Sequence, residues 1–143
     1  MVGRRSQRAW PTLPIQTMSA RFRYGDHIRK QADFDRVYQA RVYVADDVLV
    51  VNGDTNGLGR SRLGLSVSTK VGNAVVRNRW KRLIREAFRL SREQMPVGLD
   101  LVVRPQKGAV AEFHAISQSL PKLACRIGKR LERGRHQEPG GRS

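Results

Sequence analysis

Six cationic side chains, Arg77, Arg79, Lys81, Arg82, Arg85 and Arg89, fall within "GNAVVRNRWKRLIREAFR", residues 72–89, beside one carboxylate, Glu86. Like charges this close repel. A solvated helix ordinarily relieves that by placing Glu at i±4, worth roughly 0.2–0.5 kcal/mol per pair. Five of the six are arginine, whose planar fork of donors matches phosphate oxygens. The chemistry on offer is the binding of a polyanion. Groups suited to acid–base, nucleophilic or metal chemistry are scattered instead. Asp46, Asp47 and Asp54 lie at strand ends and in a loop, with no accompanying His or Lys motif. A self-sufficient metal-dependent nuclease needs two or three convergent carboxylates, so it is the weaker alternative. His27, His114 and His136 form no ligand-spaced pair. The single Cys125 excludes an intramolecular disulfide and any Cys-rich zinc site. Beside Leu123, Ala124 and Ile127 it reads as a buried structural thiol.

The element that must position the cations is a helix. At 100° per residue, Val76, Trp80, Leu83, Ile84, Ala87 and Phe88 share one arc, while Asn78, Lys81, Arg82, Arg85 and Arg89 share another. One face is core and the other a cationic strip. Gly72 allows a tight turn and Asn73 can cap the helix start, where free N–H groups also favour phosphate. A membrane-surface helix would need its apolar face free to insert, and flanking strand patterns claim that face.

The whole chain agrees with this balance. Its 143 residues carry 28 Lys and Arg against 12 Asp and Glu, a formal charge of +16, which favours a nucleic-acid or other polyanionic partner. Residues 60–89 hold nine basic side chains and one acidic, whereas residues 31–59 are net negative. No apolar run approaches the roughly 20 residues that span a bilayer, and the basic N-terminus lacks a signal-peptide core. A cytoplasmic protein is expected.

Around the helix the pattern alternates. "QADFDRVYQA" places Phe34, Val37 and Tyr38 at i, i+3, i+4, a short helix with Asp33 as its N-cap candidate. "VYVA" and "DVLVVNG" are β-branched runs broken at Asp46-Asp47, two strands or one bent strand. In "RLGLSVST" Leu63, Leu65 and Val67 alternate with Gly64, Ser66 and Ser68, one face buried and the other open. Leu99 to Val103 is a short buried strand, and residues 109–133 are helical in pattern, with Pro121 set to kink or divide them. The order α-β-β-β-α-β-α is that of an α+β fold, a two-layer α/β sandwich with helices on a small sheet. Residues 1–20, with Met18 an alternative start, and residues 134–143 read as disordered tails around a single nucleic-acid-binding domain at 21–133.

"RLGLSVSTKVGNAVVRNRWKRLIREAFR", Arg62 to Arg89, resembles the signature of the protein subunit of bacterial ribonuclease P. "IRKQADFDRVYQAR" is similar to that family's N-terminal helix and "GLDLVVRPQ" to its last strand. The resemblance implies a ribosomal protein S5-like sandwich that binds a catalytic RNA and helps it remove the 5′ leader from precursor tRNA. It implies Mg²⁺ held mainly by that RNA, a 1:1 complex with weak self-association left open, and no catalytic side chain in the protein. Carried over by residue, Arg77, Asn78, Arg79, Lys81, Arg82, Arg85 and Lys70 would contact the catalytic RNA. Phe34, Tyr38, Arg62, Ser66 and Ser68 would contact the leader in a cleft between the sheet and the N-terminal helix. The chain has Thr69 where many members have lysine, so one cation near that cleft is missing. A general RNA chaperone or ribosomal protein shares the charge, yet leaves the aromatic helix and the open strand face unexplained.

Overall fold

The computed structural model describes residues 26–141, with side chains through Gly134. Helix α1 spans Gln31–Gln39, followed by strands β1 (Tyr43–Ala45), β2 (Leu49–Thr55) and β3 (Arg62–Leu65). Helix α2 (Ala74–Ser91), strand β4 (Leu99–Pro105) and helix α3 (Phe113–Gly141) complete the expected α-β-β-β-α-β-α order. The sheet runs β1-β2-β4-β3, antiparallel except for the parallel β3/β4 pair, which α2 connects.

Strand alternation sends Leu49 and Val51 of β2, Leu63 of β3, and Leu99, Leu101 and Val103 of β4 to one face, where α2 and α3 cover them. Trp80, Ile84, Ala87 and Phe88 of α2 are buried there, as the wheel requires, but Val76 remains 36% exposed. It lies in the first turn of the helix, against the Gly72 turn. α3 approaches β2 so closely that a Cβ on Gly53 would stand 2.4 Å from Ile127 Cγ2.

Several local expectations are corrected. Lys30, not Asp33, occupies the N-cap of α1; Asp33 is drawn into the first turn by arginines on both sides. β3 ends at Leu65, Ser66 to Ser68 run on without regular structure, and a 3₁₀ turn follows at Thr69–Val71. Pro121 does not divide α3, which is one continuous helix. An interior proline costs about 3 kcal/mol. Buried Ile116, Leu120, Leu123 and Ile127, at roughly 1.5–3 kcal/mol for each large side chain, outweigh it. α3 begins at Phe113 instead of 109 and continues to Gly141 over the stretch expected to be a tail from 134; extending a formed helix needs no new nucleus. Cys125 is half-buried, with Sγ 3.5 Å from the Gln94 carbonyl, because it sits at the rim of the helix's apolar face. Residues 1–25, which include the expected N-terminal tail and Met18, lie outside the described residues.

Candidate nucleic-acid interface

Two surfaces emerge, one on each side of the sheet. The first is the outer face of α2. The Asn73 side chain accepts a hydrogen bond from the Val76 N–H at 3.0 Å and fixes the helix start. Arg77 donates through Nε to the Gly72 carbonyl at 3.2 Å, and Arg79 through Nε to the Ala111 carbonyl at 3.3 Å. Each of those bonds uses one of five guanidinium donors and leaves four. Asn78, Arg79 and Arg82 are exposed, while Arg77, Lys81 and Arg85 are half-exposed. Glu86 is taken by Arg89, whose Nε lies 3.2 Å from it. Among the described residues, Arg77, Arg79, Lys81, Arg82 and Arg85 have no carboxylate partner. Their field reaches the β3 edge, where His27 bridges Leu63. Burial, then Arg29 and Arg85, hold the His27 imidazole below its usual pKa.

The second surface is the opposite face of the sheet, where α1 lies over one end. Ile28, Val37 and Val102 form a small second core there, with Phe34 and Tyr38 packed at its margin. Gly64 was expected on an open face but is buried. A Cβ at that position would meet the Phe34 ring at 2.9 Å and Ile28 at 3.2 Å, so the glycine is the seat of the ring. Phe34 and Tyr38 each keep part of their surface in solvent. Ser66 is half-exposed and Ser68 exposed; Ser68 also caps the turn, its Oγ accepting from the Lys70 N–H at 3.3 Å.

An ion-pair lock holds α1 in place. Asp100, fully buried, accepts from Arg62 Nε at 2.8 Å and Nη2 at 2.6 Å, from Asn56 Nδ2 at 2.9 Å, and from Arg36. Arg36 also donates to Asp54 at 2.8 Å and to the Thr55 carbonyl at 2.9 Å. Asp33 stands 3.6 Å from Arg62. Burial tends to raise the Asp100 pKa, but the bonds from Arg62, Asn56 and Arg36 together hold it below the ordinary carboxylate value. Arg62, predicted as a leader contact, therefore spends its fork inside the protein.

The carboxylates do not fit a magnesium site. Asp54 and Asp100 face arginines. Asp46 accepts from the Val48 and Leu49 N–H groups at 2.8 and 3.0 Å and from the Ser119 hydroxyl at 2.6 Å. No three His, Cys, Asp or Glu side chains among the described residues gather around a point that could hold a metal.

Sequence reasoning missed Arg104 and Lys107. They line a cavity with Ser68 and Lys70. They sit in the charge-balanced stretch 90–121, where no cluster advertises them; the only signal was a cation at the i+4 position from Asp100 on a strand.

The family model for ribonuclease P matches residues 22–128. The chain belongs to that family. It is 43% identical over 97 residues to the ribonuclease P protein component of Caldanaerobacter subterraneus subsp. tengcongensis, covering 67% of this chain and 84% of that one. The fold is similar to the Staphylococcus aureus ribonuclease P protein at TM-score 0.63 and 37% identity, covering 73% of this chain and 95% of that structure. It is likewise similar to the Thermotoga maritima ribonuclease P protein at TM-score 0.64 and 33% identity, covering 70% and 96%. Within the ribonuclease P family match lie both surfaces, from α1 through the basic helix to most of α3.

Proposed function

We propose that this chain acts as the protein component of ribonuclease P, binding the catalytic RNA along α2 and the single-stranded 5′ leader of precursor tRNA across the α1 face. In this role it assists endonucleolytic removal of the leader and remains cytoplasmic, in a 1:1 complex with the RNA. No helix among the described residues is long and apolar enough to cross a membrane.

The observation that carries the reading is how the cations divide. Arg36, Arg62 and Arg92 are paired with buried carboxylates and hold the fold, whereas Arg77, Arg79, Lys81, Arg82 and Arg85 of α2 have no carboxylate partner among the described residues. Phosphates laid along α2 relieve the mutual repulsion of its arginines and release their counterions. On the other face, Phe34 and Tyr38 offer rings for stacking, worth about 1–3 kcal/mol per base and tolerant of sequence, as leaders that differ between tRNAs require. Magnesium, carried mainly by the RNA in this proposal, supplies the phosphodiester chemistry. The protein's residues bind, orient and neutralise.

The deciding experiment is precursor-tRNA cleavage at low Mg²⁺ by the organism's ribonuclease P RNA, with and without the protein. Stimulation with no cleavage by protein alone is expected. A folded protein that gives no stimulation points to a general RNA-binding role instead. For the leader face, Phe34→Ala should weaken precursor binding by about tenfold, within the range for one stacked base, and leave mature tRNA binding unchanged. Equal losses on both substrates would remove Phe34 from that face.

A further inference from the structure

We propose that residues 10–15 of this same chain, "WPTLPI", dock into an apolar groove between α3 and the turns at the Leu99 end of β4. The groove consists of two joined hollows of about 380 and 420 Å³, which share Pro96, Gly128 and Glu132. Leu58, Val97 and Leu131 line the first, and Met95 the second. Leu58 is 40% exposed and Val97 69%, although both sit in turns, where polar residues are usual. Apolar side chains exposed singly are normal; these two share one hollow.

The walls of the groove are fixed. The Leu58 N–H donates to the Asn56 side chain at 2.7 Å, and the Asn56 N–H donates to the Gly98 carbonyl at 3.0 Å, which ties the turn carrying Leu58 to the one carrying Val97. Ser61 Oγ donates to the Pro96 carbonyl at 2.8 Å. A Cβ on Gly128 would stand 3.0 Å from Pro96 Cγ, so α3 presses directly on this loop. Walls held this firmly lose little freedom when they are covered.

The point where the described chain begins selects the occupant. Asp26, 2% exposed, pairs with Arg60 at 3.4 Å and with Arg92 at 3.0 Å. Arg60 belongs to the turn of Leu58, and Arg92 immediately precedes the rim residues Glu93 to Pro96. The N-terminal segment therefore joins the fold beside the groove. The ten residues 16–25 reach at most about 33–36 Å, enough to lay residues 10–15 along it. The opposite terminus is taken up in α3 through Gly141. Charge favours the same occupant. Residues 1–25 carry five arginines and no carboxylate, while Glu93 and Glu132 stand exposed on the rim beside a single cation, Lys129. Trp10, Leu13 and Ile15 supply the apolar surface, a tryptophan alone burying about 150–250 Å². Pro11 and Pro14 bias the residues before them, Trp10 and Leu13, towards extended backbone, which lowers the cost of ordering a segment along a groove.

The test uses the full 143-residue chain labelled with fluorotryptophan and observed by fluorine NMR. Trp10 and Trp80 each give one resonance, assigned with Trp10→Phe. Trp80 is 1% exposed and reports on the fold. In the wild type the Trp10 resonance should stand apart from that of a synthetic peptide of residues 1–17 and should lack the peptide's solvent isotope shift. Val97→Glu, a change at an exposed position that puts a charge into the hollow, should return Trp10 to the peptide position and leave Trp80 unmoved. Leu13→Ser alters no residue of the core and should release Trp10 in the same way, which keeps the test open should Val97→Glu disturb Trp80. A wild-type Trp10 resonance at the peptide position would overturn the proposal. So would a shifted resonance that ignores both substitutions, since the segment would then lie elsewhere. Protection of Trp10 that fades on dilution would assign the groove to a second copy of the chain and overturn it as well.

Discussion

Replacing Asp100 with asparagine should destabilise the protein by about 3 kcal/mol, the low end for breaking a buried ion pair. Asp100 is fully buried and faces two guanidinium groups and the Asn56 amide. Without its charge, Arg62 is stranded with only Asp33 nearby. The low end applies because the Arg36 side chain is 36% exposed, so water can re-solvate it. The change also has a pH signature. The native pKa of Asp100 lies below its ordinary value, so its contribution is fully present above the unfolded value of about 3.9. It is lost as pH falls through the lower native value. The stability gap between wild type and Asp100→Asn, measured by thermal or denaturant melts, should therefore be constant near neutrality and close progressively below about pH 4. A gap that persisted at the lowest pH would assign the loss to packing.

The second large effect concerns α2. Arg77→Ala with Arg79→Ala should weaken binding to the catalytic RNA by about 100-fold, taking about 1.5 kcal/mol for each charge-assisted contact. Each phosphate contact also releases counterions, so the slope of log affinity against log salt should become shallower by between one and two. Among the described residues each side chain makes a single hydrogen bond, to a backbone carbonyl, so the melting temperature should hardly move. An unchanged salt slope would take the RNA off this helix.

The two predictions differ in how far the sequence could have reached them. Helical period alone separated the buried face of α2 from its cationic one, and Asn73 was legible as a cap, because both are set within a few residues. Beta-branched runs likewise marked β1, β2 and β4. The lock was invisible. Asp100 meets Arg62 across 38 positions and Arg36 across 64, and nothing local distinguishes those arginines from the ones on the outer face of α2. Period-two alternation said that Gly64 and Leu63 face opposite ways, but not that α1 would return to cover the glycine. The helix runs on through Pro121 because core packing on both sides of it outweighs the local propensity. The cavity at Arg104 went unseen for the same reason as the lock: it gathers residues from β4, from the turn beyond it and from the 3₁₀ segment after β3.

The strand order has a consequence for synthesis on the ribosome. β4 is a central strand, paired with β2 on one side and β3 on the other, yet it is made after the basic helix. When Ser91 has been added, α2 exists as sequence but has neither the central strand nor α3 to bury Trp80 and Phe88. At about 5–20 residues per second, about 2 to 7 seconds pass before Ile127 has been added. For that interval the nascent chain presents a cationic segment with an uncovered apolar side a short distance from ribosomal RNA. Translation that stalls between α2 and β4 would leave a cationic fragment with an exposed apolar side and no fold to confine its choice of partner.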